Sequence, residues 1–235
     1  KDRIWESGGR YYDPFRPAME PNGFSSPEEV EILHDRTMDA VRRIITESNV
    51  IVFTLGLTEA WISAIDGSVY PLCPGTTAGT FDPSVHRFHN FSVTEIAADL
   101  DSLIKRVREL NPGARWLLTV SPVPLTATAS GEHVLTSTIY SKSVLRAVAG
   151  EAARNYDHVD YFPSYEIITG PQAYSCYFNE NLRTVKPEGV DAVMANFFAQ
   201  HPKLEQISKS VQSSPIVLDN DIVCEEGYLE KWAAK

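Results

Sequence analysis

Three short runs of apolar residues, at 50–54, 116–120 and 159–162, are separated by longer segments in which apolar residues recur every three or four positions. Short runs rich in β-branched and aromatic residues are typical of strands buried in a parallel sheet. The period of three to four is that of an amphipathic helix. The alternation predicts an α/β domain in which the three runs form adjacent, parallel strands.

Helix starts are marked by capping sequences. The segments 26–29 (Ser-Pro-Glu-Glu) and 92–95 (Ser-Val-Thr-Glu) each place a Glu three residues after a Ser, which is the pattern of a capping box. Pro187 stands where a Pro opens a helix at its first position. We therefore expect helices to begin at 27, 93 and 187, and apolar periodicity predicts another over 141–156.

The long connections all follow strands. The segments 55–91, 121–140 and 163–186 far exceed the usual length of about 2–6 residues, whereas the connections from helix to strand are short. They meet at the carboxyl edge of the sheet, where α/β proteins bind ligands. We expect the functional pocket there, walled by these three segments.

The chain divides into an irregular N-terminal segment at 1–25, an α/β domain at 26–201, and a linker with a short helix at 202–235. Residues 216–218 are a weaker candidate for an edge strand. Three strands are fewer than the roughly five or six of a typical sheet. One or two further strands are therefore expected to precede Lys1 in a longer protein.

Charge and composition make some classes of binding partner unlikely. The chain has 21 Lys and Arg against 31 Asp and Glu, a net charge of −10, and no basic cluster that would hold a phosphate backbone. It has no apolar run of about 20 residues, and its first residues lack the apolar core expected of a signal peptide. Its three cysteines suit a reducing compartment. We expect a cytoplasmic protein that binds neither nucleic acid nor membrane; the oligomeric state stays open.

Several common signatures are missing. The sequence contains no Gly-x-Gly-x-x-Gly, no P-loop, no His-Glu-x-x-His and no Gly-x-Ser-x-Gly. Two histidines three apart, His86 and His89, could bind a metal, but no third ligand is evident, and hydrogen-bonding loop histidines are the commoner case. We expect neither a metal nor a cofactor.

Polar residues past the strand ends are the remaining candidates. Thr58 and Glu59 follow the first strand, although either could simply cap the next element. His133 is a plausible general base in the second long loop. Ser121 lacks flanking glycines and suits a structural role. Ser141 and Lys142 would point about 100° apart on a helix, which makes a dyad weak.

A basic segment lies before the last helix. Arg183 or Lys186 could meet an anionic group at that helix N-terminus, although exposed basic residues are common there.

Six blocks of sequence, in order along the chain, form a distinctive set. They are Val-Phe-Thr-Leu-Gly-Leu-Thr-Glu-Ala-Trp (52–61), Tyr-Pro-Leu-Cys-Pro-Gly (70–75), Phe-His-Asn-Phe-Ser (88–92), Thr-Val-Ser-Pro-Val-Pro-Leu (119–125), Ser-Lys-Ser-Val-Leu-Arg (141–146) and Tyr-Phe-Pro-Ser-Tyr-Glu (161–166). Together they resemble the GSCFA family, a bacterial family placed with the SGNH hydrolases, over roughly residues 10–200.

The resemblance implies a flavodoxin-like three-layer α/β/α sandwich and Ser-His chemistry, as in esterases and O-acyltransferases acting on small esters or glycans. The family's nucleophile lies in an N-terminal Gly-Ser-Cys-Phe-Ala segment that this sequence does not contain. The resemblance therefore places the nucleophile upstream of this chain, which alone should be inactive.

The family relationship also suggests roles within this chain. SGNH enzymes place Asp-x-x-His-Pro before the last helix, where this sequence has 183–187, Arg-Thr-Val-Lys-Pro. A base must then come from elsewhere, with His133 first and His89 second. Gly56 and Thr58 resemble the oxyanion-binding Gly-x-Asn.

Glu59 could orient the histidine as the acid of a triad does. Alternatively, Glu59 pairs with Arg16 or Arg183 and holds the loops together.

Two other interpretations stay open. The loss of Asp-x-x-His favours a non-catalytic module that binds a glycan or a protein on a retained scaffold. The chain could also be the stable remainder of a cleaved enzyme.

Overall fold

The computed structural model describes residues 4–201. Its strands are β1 (Trp5–Ser7), β2 (Arg10–Tyr12), β3 (Val50–Leu55), β4 (Glu59–Ser63), β5 (Val69–Tyr70), β6 (His86–Asn90), β7 (Arg115–Val120) and β8 (Val159–Tyr161). Its helices are α1 (Pro27–Glu47), α2 (Val93–Leu110), α3 (Val134–Asn155), α4 (Ser164–Thr169) and α5 (Pro187–Gln200). The expected linker, short helix and strand beyond 201 lie outside the described residues, as does Cys224.

The three predicted strands form one parallel sheet in the order β3-β7-β8, which confirms their adjacency and direction. Val50 pairs with Arg115, and Trp116 pairs with Val159. Helices flank this sheet, so the chain is an α/β protein consistent with a flavodoxin-like fold. No helix within residues 4–201 is both long and apolar enough to cross a membrane.

One face of the parallel sheet carries the main core. Trp116, Leu118 and Val120 alternate along β7 and are buried against α2 and α3. Both helices begin where the sequence predicted, but only α2 has a complete capping box, formed by Ser92 and Glu95. At the start of α1 the Ser26 hydroxyl accepts from Glu29 N, while the Glu29 carboxylate accepts from Ser25 N instead of Ser26 N. Leu100, Ile104 and Val107 of α2 are buried in this core.

The region around β3 is much less covered. Val50 and Val52 are exposed by 53% and 61%, and β3 pairs with β7 alone among the described strands. The apolar residues Val41 and Ile44 of α1 are also exposed. Residues 4–201 therefore present an open strand edge at β3 and exposed apolar residues on α1.

Helix α3 begins at Val134, seven residues before the predicted start at 141. His133 caps it, because its side chain accepts from Leu135 N. The first two turns bury polar residues, Ser137 and Thr138, so apolar periodicity did not reveal them. His133 is the last residue of the loop after β7, so it lies in that loop as predicted, whereas the predicted end of the loop at 140 is wrong.

Two small sheets stand where the sequence predicted irregular segments. Strands β1 and β2 form an antiparallel hairpin around Gly8 and Gly9, both at positive φ, where glycine is favoured. Within 55–91, β4 pairs antiparallel with both β5 and β6. Trp5 of the hairpin packs on Tyr70 of this second sheet. These strands were missed because they are only two to five residues long.

Candidate functional site

A cavity of about 430 Å³ lies beside the carboxyl ends of β3 and β7. It lies between the β4–β6 region and the segment that follows β7. Its lining residues are Gly56, Leu57, Glu59, Ala60, Trp61, Pro71, Leu72, Cys73, Phe88, Leu125, Thr126, Ala127, Thr128 and Ala129. Two of the three expected walls are therefore present, whereas 163–186 contributes none of the described lining residues.

Among the described residues that line the cavity, Glu59 alone has an ionisable acidic or basic side chain of the Asp, Glu, Lys or Arg type. Burial raises the pKa of its carboxyl, and the nearby charge of Glu132 adds to this effect. The hydroxyl of Thr128 donates to Glu59 Oε1 at 2.7 Å, which partly opposes the rise. The Glu59 carboxylate therefore sits at an apolar cavity where its charged form is disfavoured.

The proposed arginine partners of Glu59 have other contacts. Arg16 pairs with Asp13 at 2.5 Å. The guanidinium of Arg183 donates to the carbonyl of Pro124 at 3.4 Å. Arg183 thus ties the segment before α5 to the segment after β7, behind the lining residues.

The turn between β3 and the cavity is held by α3. Lys142 Nζ donates to the carbonyl of Gly56 at 2.8 Å, and Thr58 N donates to Ser141 Oγ at 2.9 Å. Ser141 and Lys142 are exposed by 0% and 2%. The adjacent polar residues that looked weak as a catalytic dyad are therefore a brace across the fold. We call Ser141 and Lys142 the α3 brace.

Both hydrogen-bond donors of Thr58 are used inside the protein. Its hydroxyl donates to Asn90 Oδ1 at 2.6 Å, and its N–H donates to the α3 brace. Thr58 is 1% exposed and does not line the cavity. Gly56 does line it. Of the two expected oxyanion-binding residues, Gly56 is at the cavity surface and Thr58 lies behind it.

His133 stands at the N-terminus of α3, where its Nδ1 accepts from Leu135 N at 3.2 Å. A neutral imidazole whose Nδ1 accepts carries its proton on Nε2. The ring in this position therefore offers a donor rather than a free basic nitrogen. Hydrogen bonds join the start of α3 to the cavity lining, because Thr128, which lines the cavity, contacts Ser130, and Ser130 contacts Ser137 of α3.

His89 is paired with an acidic residue of α2. Its Nε2 is 2.8 Å from Oε1 of Glu95. Hydrogen bonds from the backbone and side chain of Ser92, together with His89, lower the pKa of Glu95 to about 2. His89 is registered opposite Ala60, next to the pair Trp61 and Phe88. Because side chains alternate along a strand, His89 lies on the other face of the sheet from the cavity.

The remaining candidates from the sequence have structural contacts. Ser121 Oγ accepts from Val123 N at 3.3 Å. Nδ1 of His86 accepts from Asp82 N at 3.1 Å. Within residues 4–201, no three His, Cys, Asp or Glu side chains are grouped to hold a metal ion.

Comparison with protein families decides the relationship that the motifs suggested. A model described as the GSCFA family matches residues 2–197. The chain belongs to the GSCFA family. The match includes the cavity lining, the turn at Gly56 and the α3 brace, so these features lie within the GSCFA domain itself. A search of curated proteins finds no significant match to this GSCFA chain.

Proposed function

We propose that this GSCFA domain forms the substrate pocket of an acyl-ester hydrolase or O-acyltransferase that acts on a small ester or a glycan. The observation that carries the proposal is the position of the cavity beside the carboxyl ends of β3 and β7. Ligands of α/β proteins bind at that edge. An SGNH-like relationship is part of the proposal.

The nucleophile of the proposed reaction is a serine upstream of this chain, on a strand that adds beside β3. The open edge of β3 and the exposed Val50 and Val52 support this placement. The serine oxygen would attack the acyl carbon while a histidine takes its proton. The histidine would then return the proton to the leaving oxygen, and water or an acceptor hydroxyl would release the acyl group.

His133 remains the first proposed base and His89 the second. The hydrogen bonds from Thr128 to Ser130 and from Ser130 to Ser137 support His133, because they join the cavity lining to the start of α3. Acting as a base, His133 would have to give up its helix cap. His89 already has a carboxylate partner in Glu95, as the histidine of a triad does. Glu59 is proposed as an acid that orients the base, and Gly56 as an oxyanion neighbour.

A second candidate is a module that binds its ligand without turning it over. This alternative is favoured because both hydrogen-bond donors of Thr58 already have partners within the protein and because His133 caps α3. It predicts a ligand bound at the same cavity with no acyl-enzyme formed.

An activated-serine probe tests the catalytic proposal. The present chain should label weakly, because Ser141 is fully buried and Ser121 accepts a backbone hydrogen bond. The complete protein, including any upstream segment, should label strongly and hydrolyse p-nitrophenyl acetate. Strong labelling of the present chain would contradict the upstream nucleophile, and no labelling of the complete protein would favour the binding module.

Substitution in the complete protein separates the two proposed bases. His133→Gln or His89→Gln should lower kcat by orders of magnitude if that histidine is the base. Glu59→Gln should lower kcat with little change in Tm if Glu59 orients the base. A large change in Tm with kcat unchanged would assign the residue to structure instead.

A further inference from the structure

The cavity has an unusual balance of apolar and charged groups. The described lining residues include Trp61, Phe88 and several aliphatic side chains, and Glu59 alone among them is charged. Burial raises the pKa of the Cys73 thiol, so the thiol stays neutral. The cavity is therefore lined by one carboxyl group, that of Glu59, and by an apolar, partly aromatic wall.

The aromatic wall and the carboxylate share one face of the β4–β6 sheet. Glu59 and Trp61 are two residues apart on β4, and Phe88 is registered opposite Trp61. The rings of Trp61 and Phe88 lie 5.7 Å apart at 64° to each other. A tilted pair of rings presents a π face and an edge to the same space.

A second acidic residue, Glu132, adds to the negative potential at Glu59. Glu132 disfavours ionisation of Glu59, and the hydroxyl of Thr128 supplies a hydrogen bond to it but no charge. A carboxylate that is partly removed from water is costly unless a cation accompanies it. An anionic group, such as a phosphate or a carboxylate, would raise that cost further.

We propose that the cavity binds an organic ammonium group, held between the carboxylate of Glu59 and the rings of Trp61 and Phe88. Aromatic faces attract ammonium ions, and a carboxylate supplies the opposite charge and a hydrogen-bond acceptor. The site deepens the proposed function, since the substrate would be an ester whose small-molecule or amino-sugar part carries the ammonium. Anionic esters would be excluded.

Ligand-detected NMR titration of the present chain tests the binding without turnover. Choline is compared with 3,3-dimethylbutan-1-ol, which has nearly the same shape and no charge. Glucosamine is compared with glucose in the same way. At least one cation should bind about tenfold more tightly than its neutral counterpart. Preference for choline would identify a small ammonium compound, and preference for glucosamine an amino sugar.

Variants locate the site. Glu59→Gln should remove the preference for the cation, whereas Glu151→Gln, which removes an exposed acid of α3, should leave it unchanged. Equal affinity within both ligand pairs would overturn the proposal, and so would a preference that survives Glu59→Gln. Because turnover is not measured, failure of the esterase proposal would leave this outcome intact.

Discussion

Two carboxylates beside opposite faces of the β4–β6 sheet have pKa values shifted in opposite directions. Glu59 faces the cavity, and burial raises its pKa. Glu95, beside the opposite face, caps α2, contacts His89 and has a pKa of about 2. The surroundings of Glu59 therefore disfavour its charged form, whereas those of Glu95 stabilise its charged form.

The difference separates function from structure at this edge of the protein. The charge of Glu95 is satisfied by groups within a few residues along the chain, so no ligand is needed to explain it. Glu59 has a hydroxyl from Thr128 but sits in an apolar lining, where a ligand of opposite charge would stabilise it. The turn beside the cavity is also held by the α3 brace, which is distant in the sequence and contacts Gly56 and Thr58.

The largest expected effect comes from breaking that distant support. Lys142→Met keeps most of the side-chain volume but leaves the Gly56 carbonyl without the ammonium at 2.8 Å. A hydrogen bond made by a charged group contributes about 1.5–3 kcal/mol, and we expect this loss in the free energy of unfolding measured by urea denaturation. Ligand affinity at the cavity should fall as well.

Lys105→Met is the matched control for this substitution. Lys105 pairs with Asp101 on the exposed surface of α2, at 62% and 44% side-chain exposure. Such surface pairs contribute about 0–1 kcal/mol. An equal loss of stability in the two variants would show that the α3 brace has no special role.

A smaller effect should follow from removing the local cap on the opposite face. Ser92→Ala deletes the hydroxyl that accepts from Glu95 N, at a typical cost of about 1 kcal/mol. Ser92 also lowers the pKa of Glu95, so the ionised Glu95 carboxylate stabilises the fold above pH 4.5. This contribution to stability is lost as the pH falls toward about 2. The cost of Ser92→Ala, measured by denaturation across this range, should shrink with acidification.

The smallest expected effect concerns Glu59 and has the opposite sign. Its pKa is raised above the ordinary 4.5, so the folded protein is penalised at neutral pH and the penalty disappears below pH 4.5. Glu59→Gln should therefore raise Tm at pH 7 by about 1 °C, with no gain below pH 4.5. Thermal unfolding at several pH values checks this, and a lowered Tm at pH 7 would contradict the comparison.

Much of the architecture could be predicted from local sequence. The apolar runs predicted β3, β7 and β8, because a strand buried in a parallel sheet needs consecutive apolar residues. The capping boxes predicted the starts of α1 and α2, because the bonds join residues three apart. The lengths of the connections after the strands predicted the edge at which the cavity lies.

The sequence alone determined the α/β alternation, the two capped helices and the GSCFA relationship, since each depends on neighbouring residues. Only the tertiary structure decided which polar residues meet. Lys142 reaches Gly56 across 86 positions of the chain, and Thr128 reaches Glu59 across 69. The early start of α3, the cap at His133 and the placement of His89 away from the cavity likewise depend on packing. No local pattern encodes such contacts, because they form only when distant elements are brought together.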